Sequence, residues 1–219
     1  MGGILLPWDI VVKNWSFLAA GLWATIEIFV VSMIAGTVLG VLMGVLRTSR
    51  VFLIQITTRA FIEVFRGLPT LITMFFVYFA VPMLFQIEIP SFLAAVIGLT
   101  LWELSEIAEI MRGAIQSIPK GQVEAGRAMA LNKAQVLIYI LMPQAVRRML
   151  PPLIGVYTRL VKGTALASLV GVNDLVMAGK IVVERTLEPL EVYVFIMAVF
   201  FIINYPLSVL SRKLERKLI

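Results

Sequence analysis

The chain has 219 residues, of which 60% are hydrophobic and only 15% charged, and it carries a net charge of +6. With a mean hydropathy of +0.98, this composition excludes an ordinary soluble domain. Cysteine and histidine are both absent, which excludes a disulfide framework, a thiolate metal site and imidazole acid–base chemistry.

The first apolar run, residues 17–46, contains a single charge, Glu27. It exceeds the core of a cleavable signal and reads as a retained membrane span, since about 20 helical residues cross the hydrocarbon. Gly36, Gly40 and Gly44 recur every four residues on one face, a spacing that lets another helix approach closely in lipid. Packing within the chain is their expected use. A second span is expected over 54–85, with Pro69 and Pro82 inside it, and a third over 91–117. The fourth, 135–169, reads as two pieces, 135–150 and 152–169, and is interrupted by Arg147, Arg148, Arg159 and Lys162. A fifth covers 192–211. The expected fold is an all-α integral membrane protein of about five spans, one transmembrane domain over 1–219 with a cytoplasmic segment at 119–134.

The positive charges set the expected orientation. Arg47, Arg50, Arg59 and Arg66 follow the first span. Arg112, Lys120, Arg127, Lys133, Arg147 and Arg148 follow the third, and Arg212, Lys213, Arg216 and Lys217 follow the fifth. The opposite side holds only Lys13, Lys180 and Arg185. The N-terminus is therefore expected outside and the C-terminus in the cytoplasm. On this reading the net positive charge reports topology, not nucleic-acid binding.

The cytoplasmic stretch from Pro119 to Lys133 is the most informative. Pro119 and Gly121 stop the third span, and a short helix is expected from about Val123 to Leu131. Glu124 falls in its first turn, where the helix dipole favours a carboxylate, and Arg127 three residues on is placed to pair with it. Ala125, Gly126, Ala128 and Ala130 make the helix thin. On physics alone, a docking helix and a plain connector both fit.

Glu124-Ala125-Gly126, then Ala130, Ile140, Met142 and Pro143, closely resembles the signature loop of ATP-binding-cassette import permeases. The family pattern is glutamate-alanine-alanine, three residues, glycine, nine residues, isoleucine, one residue, leucine-proline. Here Gly126 replaces an alanine, Ala130 replaces the glycine and Met142 the leucine. The family glycine permits a left-handed turn ending the helix; with alanine there, Asn132 is expected to end it slightly later. Further phrases look like the polar amino-acid branch: Glu63 to Thr70, Ala108 to Gly113, Gln116 to Gln122, Leu141 to Ala145, Leu150 to Leu153 and Lys162 to Ser168. In the last of these, Gly163 stands where the branch usually has an acidic residue.

The resemblance implies a permease subunit of an amino-acid importer in the bacterial inner membrane. It works with a second permease subunit, identical or related, a cytoplasmic ATPase dimer and an external substrate-binding protein, within membrane lipid. It implies no catalytic residue, metal or cofactor in this chain, with ATP and Mg held by the partner ATPase. The chain itself lacks a phosphate loop; its nearest match, Gly179-Lys180-Ile181, has the wrong last residue. The implied coupling surface is Gly121, Glu124, Ala125, Gly126, Arg127 and Ala130.

Charges inside spans point to the transport pathway. Glu103, Glu106 and Glu109 recur every three residues on the third span. Glu109 is expected to pair with Arg112, whereas Glu103 and Glu106 lie deeper, with Arg159 and Lys162 as expected partners. A zwitterionic amino acid needs a cation for its carboxylate (Arg159 or Lys162) and an anion for its ammonium (Glu103 or Glu106). Thr164 and Ser168, four residues apart, either offer hydroxyls to the solute or bond their own backbone. Two alternatives stand beside this reading. One is a permease of the same class for another small polar solute. The other, less favoured by the signature loop, is a passive channel or scaffold.

Overall fold

The computed structural model describes residues 8–49 and 51–218. Arg50 and the side chain of Lys217 lie outside them. The described residues form helices α1 (Asp9–Lys13), α2 (Trp15–Arg47), α3 (Phe52–Gly67), α4 (Thr70–Phe85), α5 (Ser91–Gln116), α6 (Lys120–Ala128), α7 (Lys133–Val170), α8 (Leu175–Thr186) and α9 (Pro189–Leu218), with no strand among them. Helices α2, α5, α7 and α9 are each long and apolar enough to cross a membrane. The most apolar stretch of α9 has mean hydropathy 2.1 yet is only 11% buried. Water would not tolerate so much exposed apolar surface, so this helix faces lipid or another membrane subunit.

The second expected span is not one helix. It breaks at Leu68, which is extended at φ −87° and ψ 138° ahead of Pro69. Proline drives the preceding residue out of the helical region. The fourth differs in the opposite direction: it runs unbroken from Lys133 to Val170, straight through Pro151 and Pro152. Met149, Leu153 and Val156 on either side of the prolines are buried among Ile107, Met111, Ala114, Ile115 and Ile118. That packing overrides the local helix-breaking tendency.

Where α4 and α7 widen into π turns, proline is the cause. Each contains a π turn, Phe76–Ala80 and Val136–Leu141. In each, the residue just before a proline bonds five residues back, Val81 to Phe76 and Met142 to Leu137. Pro82 and Pro143 would otherwise press on the carbonyl four residues earlier, and the wider turn relieves that contact.

The chain divides into two compact units. The first comprises residues up to Met33, Thr70–Leu99 and Arg159–Pro206, and the second Ile34–Pro69, Thr100–Thr158 and Leu207 onward. The first has a core of Leu18, Leu175, Ala178, Val182, Val192 and Ile196. Here Asp174 caps α8, its Oδ1 accepting from the Met177 amide at 2.9 Å, while Thr25 Oγ1 accepts from the Leu175 amide at 3.1 Å and donates to the Gly21 carbonyl. A Cβ at Gly21 would lie 2.8 Å from the Asp174 carbonyl, so glycine is needed for this approach.

Asp174 is buried, and its Oδ2 has no partner. Burial pushes its carboxyl up to about 6, against the smaller opposing effect of the amide bonds. A raised carboxyl favours the folded state when protonated. Its contribution is therefore fully present below about pH 4 and is lost as pH rises through about 6. Asp174→Asn keeps the cap and removes the buried charge. Thermal unfolding across pH 4–8 is expected to show wild type losing about 2–3 kcal/mol relative to this variant.

The second unit is organised by α2 against α5. A Cβ at Gly36 would meet Glu103, one at Gly40 would meet Ile107, and one at Gly44 would meet Met111. Each step advances four residues on both helices, so the two helices run parallel. The chain must cross back between them, which makes α3 and α4 together one crossing and the total five. The glycines pack inside the chain, as expected. Thr37 and Tyr157 add a hydroxyl pair at 2.8 Å.

Candidate functional site

Helix α6 is the expected cytoplasmic helix, displaced about one turn toward the N-terminus: Lys120–Ala128 instead of Val123–Leu131. Pro119 precedes it, where a fixed φ starts a helix well. Gly121, Glu124, Ala125, Arg127 and Ala130 are all exposed, and Gly126 alone of the six candidates is buried. Its backbone lies against α7, where an added Cβ would stand 2.6 Å from Ile140 Cδ1 and 3.0 Å from Val136 Cγ2. Two residues of the sequence pattern, fourteen apart in the chain, thus meet: Gly126 seats the helix on Ile140 while the opposite face stays open. Among the described residues no ion pair joins Glu124 to Arg127, contrary to expectation, and both are exposed.

The end of α6 also corrects an expectation. Asn132 does not terminate it. Ala130 itself takes the left-handed conformation, φ 60°, and its amide bonds the Arg127 carbonyl at 2.9 Å while the Leu131 amide bonds Gly126. Asn132 instead opens α7 with a reciprocal capping box, its Oδ1 accepting from the Gln135 amide and Gln135 Oε1 accepting from its own amide, both at 2.9 Å. An L-residue pays for the left-handed position by about 1 kcal/mol or more. Ala130→Gly is accordingly expected to stabilise the purified protein by about 0.5–1 kcal/mol, read as a raised melting temperature.

The acidic residues of α5 form a graded series. Glu109 pairs with Arg112, as expected, Arg112 Nε lying 3.0 and 3.1 Å from its two oxygens, and also with Arg47. Glu106 pairs with Arg66 on α3 at 2.8 Å, a partner that its spacing on α5 did not suggest. Glu103 is fully buried, and neither of its carboxylate oxygens has a hydrogen-bond partner. It occupies the notch left by Gly36, whose Cβ would stand 2.3 Å from Oε2. An unpartnered carboxyl buried in a membrane span is costly.

Arg159 and Lys162 belong to the other unit, and both are exposed. Thr164 and Ser168 lie in a 3-10 turn, Thr164–Val170, that ends at Gly171 in a left-handed conformation, φ 87°. Their hydroxyls donate to the Val161 and Ala165 carbonyls at 2.7 and 2.8 Å. Of the two expected uses, they serve their own backbone.

The roles of Arg47 and Arg66 in holding the acidic series were not anticipated, nor was the Thr37–Tyr157 pair. For the arginines a signal existed, since both sit at helix ends where membrane proteins place cations. The hydroxyl pair spans 120 residues of chain and no local pattern announces it.

A five-span helical chain, with a thin polar helix seated between its third and fourth spans and open on one face, is a membrane permease. The chain belongs to the family of binding-protein-dependent transport system inner membrane components, whose model matches residues 36–219. It is 35% identical over 212 residues to the glutamine transport system permease protein GlnP of Escherichia coli K12, covering 96% of this chain and 97% of that one. It is 31% identical to the L-cystine transport system permease protein TcyB of Bacillus subtilis 168, covering 99% and 93%. A crystal structure of an amino acid ABC transporter with histidines superposes with a TM-score of 0.87 at 28% identity, covering 98% of this chain and all of the other.

Proposed function

We propose that this chain is the translocation subunit of an ATP-driven importer for a polar amino acid, coupled to a cytoplasmic ATPase through α6. One observation carries the coupling: the pattern residues Gly126 and Ile140 seat α6 on α7, leaving Gly121, Glu124, Ala125, Arg127 and Ala130 exposed. The class of solute rests on the relatives, whose names specify glutamine and L-cystine and whose structural counterpart is an amino acid transporter. In this reading the positively charged ends face the cytoplasm. The chain acts as one permease domain of a pair, in the bacterial inner membrane, and receives solute from an external binding protein. ATP and Mg stay on the ATPase. Nucleotide binding draws the ATPases together, α6 moves with them, and the spans alternate between outward and inward openings.

Glu103 is the proposed contact for the solute ammonium, with Arg159 or Lys162 for its carboxylate. What supports Glu103 in this role is a buried carboxyl whose two oxygens have no hydrogen-bond partner. In vesicles reconstituted with the ATPase and the binding protein, Glu103→Gln and Arg159→Ala are each expected to weaken the transport KM about tenfold or more, the worth of a charge-assisted hydrogen bond. Unchanged KM in both variants removes these residues from the pathway and leaves coupling intact. Absence of ATP-dependent uptake of any amino acid in wild type removes the proposal.

A further inference from the structure

Beside the acidic series lies a second, basic feature, distinct from the proposed solute contacts. A cavity of about 330 Å³ opens where α2, α3 and α5 meet at the ends of α2 and α5. Arg47, Arg59 and Arg112 line it together with Gln55, Phe52 and Ile56. Among the described residues, no acidic one lines it. Two acids pair with these arginines: Glu63 accepts from Arg59 Nε at 2.7 Å and lies 3.8 Å from Arg47, and Glu109 pairs with both Arg47 and Arg112. Three guanidinium groups against two carboxylates leave a positive excess directed at the cavity. Gln116 further fixes the Arg112 guanidinium by accepting its Nη1.

The position of this cavity selects the ligand. Arg47 is the last residue of α2 and Arg112 lies in the last turns of α5, two parallel membrane spans. The cavity therefore sits where spans leave the hydrocarbon. The helix forming its wall, α3, brings both chemistries to the cavity: Phe52, 74% exposed, and Ile56, 47% exposed, share one helical face with Gln55 and Arg59, and Leu53 beside them is 68% exposed. A soluble anion would satisfy the arginines and leave these apolar side chains in water. A phospholipid covers both, with its phosphate among guanidinium groups that bond phosphate oxygens in pairs and its acyl chains along Phe52, Leu53 and Ile56.

We infer that Arg47, Arg59 and Arg112, with the exposed apolar side chains of Phe52, Leu53 and Ile56 on α3, form a binding site for an anionic phospholipid. The site stands on its own geometry and does not depend on which solute is carried. Occupancy would tie α3 to the ends of α2 and α5 on the side of the membrane that α6 occupies.

The test is native mass spectrometry of the full chain in neutral detergent, titrated with dioleoylphosphatidylglycerol or dioleoylphosphatidylcholine, each with and without excess inorganic phosphate. Wild type is expected to retain the glycerol lipid in preference to the choline lipid, and phosphate is expected not to displace it. Arg59 is largely exposed, and its ion pair among the described residues is with Glu63 one turn along the same helix, so Arg59→Ala is expected to leave the fold intact. It is expected to weaken retention of the anionic lipid about fivefold, and Arg59→Glu more. Glu63→Gln removes a competing carboxylate and is expected to strengthen retention. Equal retention of the two lipids, displacement by phosphate alone, or indifference to all three substitutions would overturn the proposal. Displacement by phosphate would identify a soluble-anion site instead.

Discussion

Gly44→Leu is expected to leave little folded protein in the membrane fraction. A Cβ at this position would lie 2.6 Å from the Ala108 carbonyl oxygen and 2.7 Å from Met111 Cβ. The first of these is backbone and cannot turn aside. The helices must therefore separate, and everything packed along their seam moves with them: Gly40 against the Leu104 carbonyl at 2.9 Å, and the buried positions Ile107 and Met111. Overpacking a tight core costs about 1–3 kcal/mol for small insertions. A leucine forced against backbone costs more, out of a total stability of about 5–15 kcal/mol. The effect should be ordered by what each glycine meets. Gly36→Ala presses first on the carboxyl end of the Glu103 side chain, which has rotational freedom, and is expected to be milder than Gly44→Ala. Gly113→Ala, with nothing within 4 Å, is the control and is expected to be neutral. Membrane yield and melting temperature of the four variants, measured side by side, check the series.

The layout of the spans is legible in the sequence because lipid imposes one simple demand, a long enough apolar helix. The expected 17–46, 91–117 and 192–211 all fall within observed helices or within a residue of their ends. Prolines were misread in both directions for one reason. Pro69 breaks its helix and Pro151 and Pro152 do not, because the latter pair lies in a stretch whose neighbours are buried among Ile107, Met111 and Ile115, and burial at a distance leaves no local trace. The same holds for the acidic series. Its spacing is visible, but that Arg66 meets Glu106 and that Gly36 makes room for Glu103 depends on which helices adjoin. At α6 the pattern located the helix, whereas its end was missed: Ala130 bears the left-handed strain that glycine normally relieves.

The second large effect is expected at Glu124. It is exposed on α6 and pairs with nothing in its own chain among the described residues. Replacing it therefore disturbs no internal contact, and the seat of Gly126 on Ile140 survives. What changes is the face offered to a partner. Glu124→Arg puts a long side chain of opposite charge on a helix otherwise thin at Gly121, Ala125 and Ala128. If that face lies in a cleft of the ATPase, the clash and the reversed charge together cost about 2–5 kcal/mol, roughly thirtyfold or more in affinity. Transport and ATPase coupling should fail together while the permease remains folded. The measurement that addresses this most directly is co-purification in detergent with the ATPase encoded beside it, wild type against Glu124→Arg, with melting temperature recorded for both. The account predicts that wild type retains the ATPase and that the variant, equally stable, does not. Retention of the ATPase by Glu124→Arg at wild-type level would contradict it.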